Sequence, residues 1–228
     1  MHRRLNRVLL YAAITGLVIL GMTSCSATGQ DRTTDVSYGV GEPVKTLVVQ
    51  GRTGTIRVVG GGEAVTVTEH QRYQDEHPVT SHQVGADGTL TLGYRCDHCG
   101  VGYEVHVPAG TVVKLTDETG DVLLSGLTGE VRVRTGTGRI QATGLAGSTA
   151  ELTAGTGSVS AEFTASPTSV NAATETGSIR IAVPGSTGYA VSAGARTGSV
   201  KVSVPRSDTT GRTIEAHAGT GSVAVTGA

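Results

Sequence analysis

From residue 119 onward, apolar and polar positions alternate in short bursts, each opened by a Thr-Gly pair. Thr176-Gly177-Ser178-Ile179-Arg180-Ile181 sets the pattern, with Ile179, Ile181 and Val183 on one side and Arg180 on the other. A period of two makes each burst a strand with one buried face. The motif recurs at Thr197-Gly198-Ser199-Val200 and Thr220-Gly221-Ser222-Val223, and earlier at Thr119-Gly120, Thr137-Gly138 and Thr156-Gly157. These threonines stand 18, 19, 20, 21 and 23 residues apart. A repeat of that length signals stacked units, and the glycine supplies a corner that a β-carbon would obstruct. Half-period copies at Thr128-Gly129-Glu130-Val131-Arg132-Val133, Ala146-Gly147-Ser148, Thr187-Gly188-Tyr189 and Thr210-Gly211-Arg212 give two strands per turn. The expected fold is all-β, a single-domain β-solenoid with about 18–23 residues per rung and two sheets facing across a thin core. An antiparallel sandwich with repetitive turns is the competing architecture. In the solenoid, Gly177 and Gly198 are expected at equivalent corners of successive rungs. Ile179, Ile181, Val200 and Val202 then face one core, and Lys201 points outward.

The chain before residue 119 is less regular. Alternation marks strands over 44–49, 54–59 and 65–73, and Thr53-Gly54-Thr55-Ile56-Arg57-Val58 is the repeat motif again. Residues 74–78 read as a polar loop, and 79–84 with 89–95 as a hairpin around Ala86-Asp87-Gly88. Strands at 103–108 and 111–116 lead into the regular rungs. Divergence is expected at a terminal rung, because an exposed solenoid end invites pairing with another chain.

Residues 1–24 read as an export signal: Arg3, Arg4 and Arg7 form the positive start and 8–22 the apolar core. Met22-Thr23-Ser24-Cys25 looks like a lipobox, which makes Cys25 the lipidation site. A plain secretory signal and a short uncleaved anchor are the alternatives. Residues 25–42 are polar and glycine-containing, a flexible tether, and 43–228 form the domain. Loss of the signal leaves 15 of 18 basic residues against 19 acidic ones, a net charge of −4. With no basic block or aromatic interleaving, nucleic acid is not a partner. Tryptophan is absent and Phe163 is the only phenylalanine, which suits a narrow core. The alanine-, glycine- and arginine-rich composition suits a high-GC genome.

The strand Tyr103-Glu104-Val105-His106-Val107-Pro108-Ala109-Gly110 and the Thr-Gly-x-Val rungs after it resemble a bacterial family of glycine-rich β-strand-repeat domains labelled "putative adhesins". The Gly54-Thr55-Ile56-Arg57-Val58 opening is similar to theirs, and the resemblance spans 43–228. It implies a repeat fold and, with the lipobox, an actinobacterial-type lipoprotein. It brings no catalytic or binding residues with it.

Three chemistries compete for Cys96-Asp97-His98-Cys99. A disulfide requires a turn at Asp97-His98 to bring the α-carbons within about 7 Å. The exported setting favours that pairing. Metal ligation draws on Cys96, His98, Cys99 and His106, since His70, His77, His82, His98 and His106 all fall within 37 positions. Against it, a lone C-x-x-C is a weak signal and His106 alternates outward between valines. A redox motif normally opens a helix, and none is expected here. For catalysis, Asp117, Glu118 and Asp121 lie near one corner, whereas Glu130, Glu151, Glu162 and Glu175 are spread singly. There is no G-x-S-x-G. The sequence thus points to a non-enzymatic, lipid-anchored surface protein on the outer face of the cytoplasmic membrane, without a cofactor. It presents a Thr/Ser/Arg-lined face to a cell-wall glycan or a surface protein. The alternatives are a metal or redox envelope sensor centred on 96–106 and, last, a polysaccharide-active β-helix enzyme.

Overall fold

The structure, a computed structural model, describes residues 31–227. The export signal and Cys25 lie outside the described residues. Among the described residues, nineteen strands form two sheets. The irregular first part comprises β1 (Arg32–Val40), β2 (Thr46–Gln50), β3 (Ile56–Gly60), β4 (Val65–Tyr73), β5 (Val79–Val84), β6 (Thr89–Arg95) and β7 (Cys99–Val107). The regular part runs through β8 (Val112–Thr119), β9 (Val122–Ser125), β10 (Val131–Thr137), β11 (Ile140–Leu145), β12 (Thr149–Thr156), β13 (Val159–Phe163), β14 (Ser169–Thr176) and β15 (Ile179–Val183). It closes with β16 (Ala190–Thr197), β17 (Val200–Ser203), β18 (Thr213–Thr220) and β19 (Val223–Gly227).

Odd and even strands of the regular part fall into opposite sheets, so each rung is one strand, a Thr-Gly corner and a second strand. The first sheet runs β1-β4-β7-β3-β9-β11-β13-β15-β19-β17 and the second β5-β6-β2-β8-β10-β12-β14-β18-β16. Rung-to-rung pairing is parallel throughout. This settles the fold as a solenoid and discards the antiparallel sandwich. Between the sheets run files of buried side chains, one residue per rung. Leu47, Val113, Val131, Ala150, Val170 and Ile214 form one file, and Ile56, Val122, Ile140, Val159, Ile179 and Val223 another. Phe163 is the one aromatic among the rungs from β8 to β15. The large buried tyrosines, Tyr103 and Tyr189, sit in the irregular parts on either side, where the rungs depart from the repeat.

Two expectations are corrected. The tether expected over 25–42 is shorter, because Arg32–Val40 is strand β1, paired antiparallel along β4 from Arg32↔Tyr73 to Val40↔Val65. Its alternation (Thr34, Tyr38 and Val40 half-buried) supplies the one-sided face a strand needs. The stacking order also departs from chain order at both ends. The β2/β3 rung lies between β6/β7 and β8/β9, and the β18/β19 rung lies between β14/β15 and β16/β17. Gly177 and Gly198 therefore occupy equivalent corners, but Gly221 stands between them. A Cβ on Gly221 would collide with the Gly177 carbonyl, and one on Gly198 with the Gly221 carbonyl. Val200 and Val202 continue the files of Ile179 and Ile181 through Val223 and Val225. Val200, on the outermost rung, is 45% exposed, whereas Ile179 is fully buried.

Candidate functional site

The corners build the most extended chemical feature. Thr119, Thr137, Thr156, Thr176, Thr220 and Thr197 are in direct register from rung to rung. Thr53 bridges to Thr119 and extends the file to seven. All seven are exposed. Parallel pairing sets the spacing at about 4.8 Å per step. The residue after each corner glycine forms a second file, Asp121, Arg139, Ser158, Ser178, Ser222 and Ser199. Its members bond along the stack: Asp121 Oδ1 accepts from the Arg139 N–H (3.0 Å), and Ser158 Oγ from the Ser178 N–H (3.3 Å). Ser178 Oγ accepts from the Ser222 N–H (3.3 Å), and Ser199 Oγ donates to Ser222 Oγ (3.1 Å). The corner glycines hold the geometry. Gly138, Gly157, Gly177, Gly221 and Gly198, with φ of 140–148°, take a conformation L-residues avoid, and each lies against the carbonyl of the corner glycine one rung away. The result is a rigid edge of hydroxyls and methyls, pure Thr-Gly-Ser over its four outer rungs.

At the opposite end of the file the β6/β7 rung turns its corner without Thr-Gly. Here Cys96-Asp97-His98-Cys99 makes the turn, with His98 at φ 59° and the cysteine α-carbons 5.9 Å apart, at disulfide distance. The turn expected at Asp97-His98 is therefore present. It borders an open groove of about 760 Å³ lined by Arg52, Asp75, His77, Arg95, Asp97 and His98 among others. The groove mixes cations and anions and carries no dominant charge. The metal candidates separate: β7 runs away from Cys99, so His106 lies seven residues on, about 23 Å along the strand. His106 faces outward and contacts Glu104 at 3.4 Å. The other histidines have partners of their own. His70 meets Asp35 (2.9 Å), His77 meets the Tyr73 hydroxyl (2.9 Å), and His82 packs on Tyr38.

Two buried ionisable groups were not singled out as interior groups by sequence reasoning. Asp117, only 3% exposed, points inward from β8 with neither carboxylate oxygen hydrogen-bonded. Burial, reinforced by the negative charge of Glu118, pushes its pKa up to about 6. It occupies an interior file with Thr135, Ala154, Thr174, Ala218 and Ala195. Thr135 and Thr174 donate their hydroxyls to the carbonyls of Gly120 and Gly157. Glu69, also buried, accepts from the Tyr38 hydroxyl (2.9 Å) and the Gln71 amide (3.0 Å). Burial first, and then the Glu69 charge, pushes the Tyr38 and Tyr103 hydroxyls far above the usual phenol range. In both cases strand alternation carried the signal, since Val113 and Leu115 precede Asp117 inward and Val65 and Val67 precede Glu69.

The acids considered for catalysis disperse. Asp117 is interior, Glu118 reaches Arg52 (3.9 Å), and Asp121 pairs with Arg139 (3.1 Å). Glu130 and Glu151 flank Arg132 on the outer face of β10 and β12.

A family model described as Toastrack DUF4097 matches residues 102–226. Two solved structures share the fold. One, titled a "putative cell adhesion protein" from Clostridium sporogenes, has a TM-score of 0.53 at 12% identity, covering 86% of this chain and 100% of that one. The other, titled a "putative adhesin" from Bacteroides fragilis, has a TM-score of 0.50 at 14% identity, covering 88% and 99%. No curated protein matches the chain.

Proposed function

The chain belongs to the Toastrack DUF4097 family, and on that premise we propose that it is a non-catalytic surface module, anchored by lipid at Cys25, that binds an envelope polymer. The observation that carries this reading is the file of seven exposed threonines. An evenly spaced row of hydroxyls on a rigid edge suits a ligand that is itself a repeating chain of hydroxyls, and a cell-wall glycan is such a chain. Rigidity matters because a preformed edge spends little conformational entropy on binding. The solved structures of the same fold carry adhesin titles, which agrees with a surface role. In this reading residues 1–24 export the chain, Cys25 holds it at the outer face of the cytoplasmic membrane, and the Cys96–Cys99 disulfide staples the end-rung corner.

The test is sedimentation of the full chain with isolated cell-wall glycan. Thr156→Val, Thr176→Val and Thr220→Val, made together, keep the β-branched shape and remove three central hydroxyls. Binding should weaken by at least tenfold with unchanged thermal unfolding. Undiminished binding by the triple variant would remove the threonine file from the function.

A further inference from the structure

We propose that the groove beside the Cys96-Asp97-His98-Cys99 corner binds a short zwitterionic peptide, of the kind that cell-wall glycan strands carry as side chains. The inference rests on the envelope-polymer reading for the carrier of that peptide. It adds a second contact to the same polymer, made by charge rather than by threonine hydroxyls.

The groove continues the threonine file. Thr53, the end member of the file, lines a hollow of about 380 Å³ that shares Arg52, Asp97 and His98 with the 760 Å³ groove. A glycan lying along the file therefore delivers what hangs from it to this end. The walls are fixed before anything binds, which spares the ordering cost of association. On one side Arg52 donates to the Cys96 carbonyl (3.3 Å). The Tyr94 hydroxyl accepts from the Thr53 N–H (2.7 Å) and donates to the Thr53 carbonyl (3.1 Å). On the other side the Tyr73 hydroxyl bonds His77 Nε2 (2.9 Å), with the two rings 4.0 Å apart between centroids. Gln74 donates to Asp31 (3.2 Å).

These walls present unmatched charge of both signs. Where neighbouring strands bring opposite charges side by side, they pair directly, as Arg57 does with Glu104 and Arg132 with Glu130. In the groove Arg95, Asp75, Glu76 and Asp97 are all exposed, and among the described residues none of them makes an ion pair or a side-chain hydrogen bond. Arg52 keeps a long contact to Glu118 (3.9 Å). A ligand of one sign leaves half of such a site unanswered, whereas one with separated charges of both signs answers all of it. Arg52 and Arg95 offer two guanidinium groups to carboxylates, and the three acids accept ammonium groups. Val79 narrows the choice further. It is 72% exposed, the most exposed large apolar side chain among the described residues, and it stands opposite Arg95 in the β5–β6 ladder. Cross-strand partners share a side, so a carboxylate on Arg95 has an apolar group beside it. A C-terminal alanine supplies a carboxylate with a methyl next to it. A phospholipid headgroup supplies one charge of each sign and no such methyl.

The probe is the tetrapeptide Ala-γ-Glu-Lys-Ala with both termini free, titrated calorimetrically into the full chain. Saturable binding with a Kd below about 1 mM is expected. Arg95→Gln and Asp97→Asn should each weaken it at least tenfold with thermal unfolding unchanged. Amidating the C-terminus of the probe should reproduce the loss from Arg95→Gln and add little in that variant. The threonine triple variant should bind the tetrapeptide as the parent does, and Arg95→Gln should still sediment with glycan stripped of its peptides. Failure of the threonine file and failure of the groove are thus read separately. A parent that ignores the tetrapeptide, or an affinity indifferent to both charge substitutions, overturns the groove assignment and leaves the file untouched. A chain that instead floats with phosphatidylethanolamine vesicles, and loses this with Arg95→Gln, gives the groove to a lipid headgroup and overturns it as well.

Discussion

At the scale of the residue, Asp117 is the clearest departure from repeat logic. Its file is otherwise occupied by threonine and alanine, and its carboxylate lies where a Cβ on Gly51 or Gly120 would strike it. Such a group favours its neutral form. The sign follows from linkage: between the ordinary value of 3.8 and about 6, the folded chain binds more protons at Asp117 than the unfolded chain does. Stability from this group is therefore greatest below pH 4, falls as pH rises through that window, and is level above it. Asp117→Asn keeps the shape and removes the titration. Relative to the parent it should gain on the order of 2 kcal/mol at pH 7.5 and nothing at pH 4. Thermal unfolding of both proteins at the two pH values checks this, and an unchanged difference between them would remove Asp117 as the cause. The inward setting of Asp117 was legible from Val113 and Leu115. Its missing partners were not, because they depend on which backbone groups the neighbouring corners have already engaged.

At the scale of the element, alternation located the strands well but could not order the rungs. The Thr-Gly corners at 197 and 220 have the same form, and either would stack on the corner at 177. Spacing along the chain favours 197, yet the structure places 220 there. The inner residues match position for position (Ala193 with Ala216, Ala195 with Ala218, Val200 with Val223, Val202 with Val225) except that Ile214 stands where β16 has the smaller Val191. The larger apolar rung takes the fully covered position, which burial rewards. The same exchange at the first end brings β2/β3 between later rungs, and the sequence signal was again a repeat motif out of turn, at Thr53-Gly54. The order has a measurable consequence. Val223→Asp buries an unpaired carboxylate in a sealed file and should cost more than about 3 kcal/mol. Val200→Asp, at the matching position on the outermost rung, should cost less than about 1 kcal/mol. Chemical unfolding of the two variants decides it, since chain-order stacking would reverse the two penalties.

For the whole molecule, the two ends differ in a way that fits an anchored surface protein. The first end is closed by antiparallel strands, with β1 lying against β4 and β5 against β6. Cys25 stands seven residues before Arg32, a reach of at most about 25 Å. A lipid on Cys25 would therefore hold the closed end near the membrane and turn the outermost rung outward. The eight two-strand rungs from β6/β7 to β16/β17, at about 4.8 Å per step, set the outermost rung roughly 34 Å beyond β6/β7. All of this depends on the acyl chain, whose signal is the Met22-Thr23-Ser24-Cys25 motif alone. Cys25→Ser should move the protein from the membrane fraction to the soluble one, with the folded domain's unfolding curve unchanged. Mass spectrometry of the parent should find a diacylglycerol-modified peptide beginning at Cys25. A parent already soluble, with an unmodified N-terminus, would end the reading of the chain as a lipid-anchored protein.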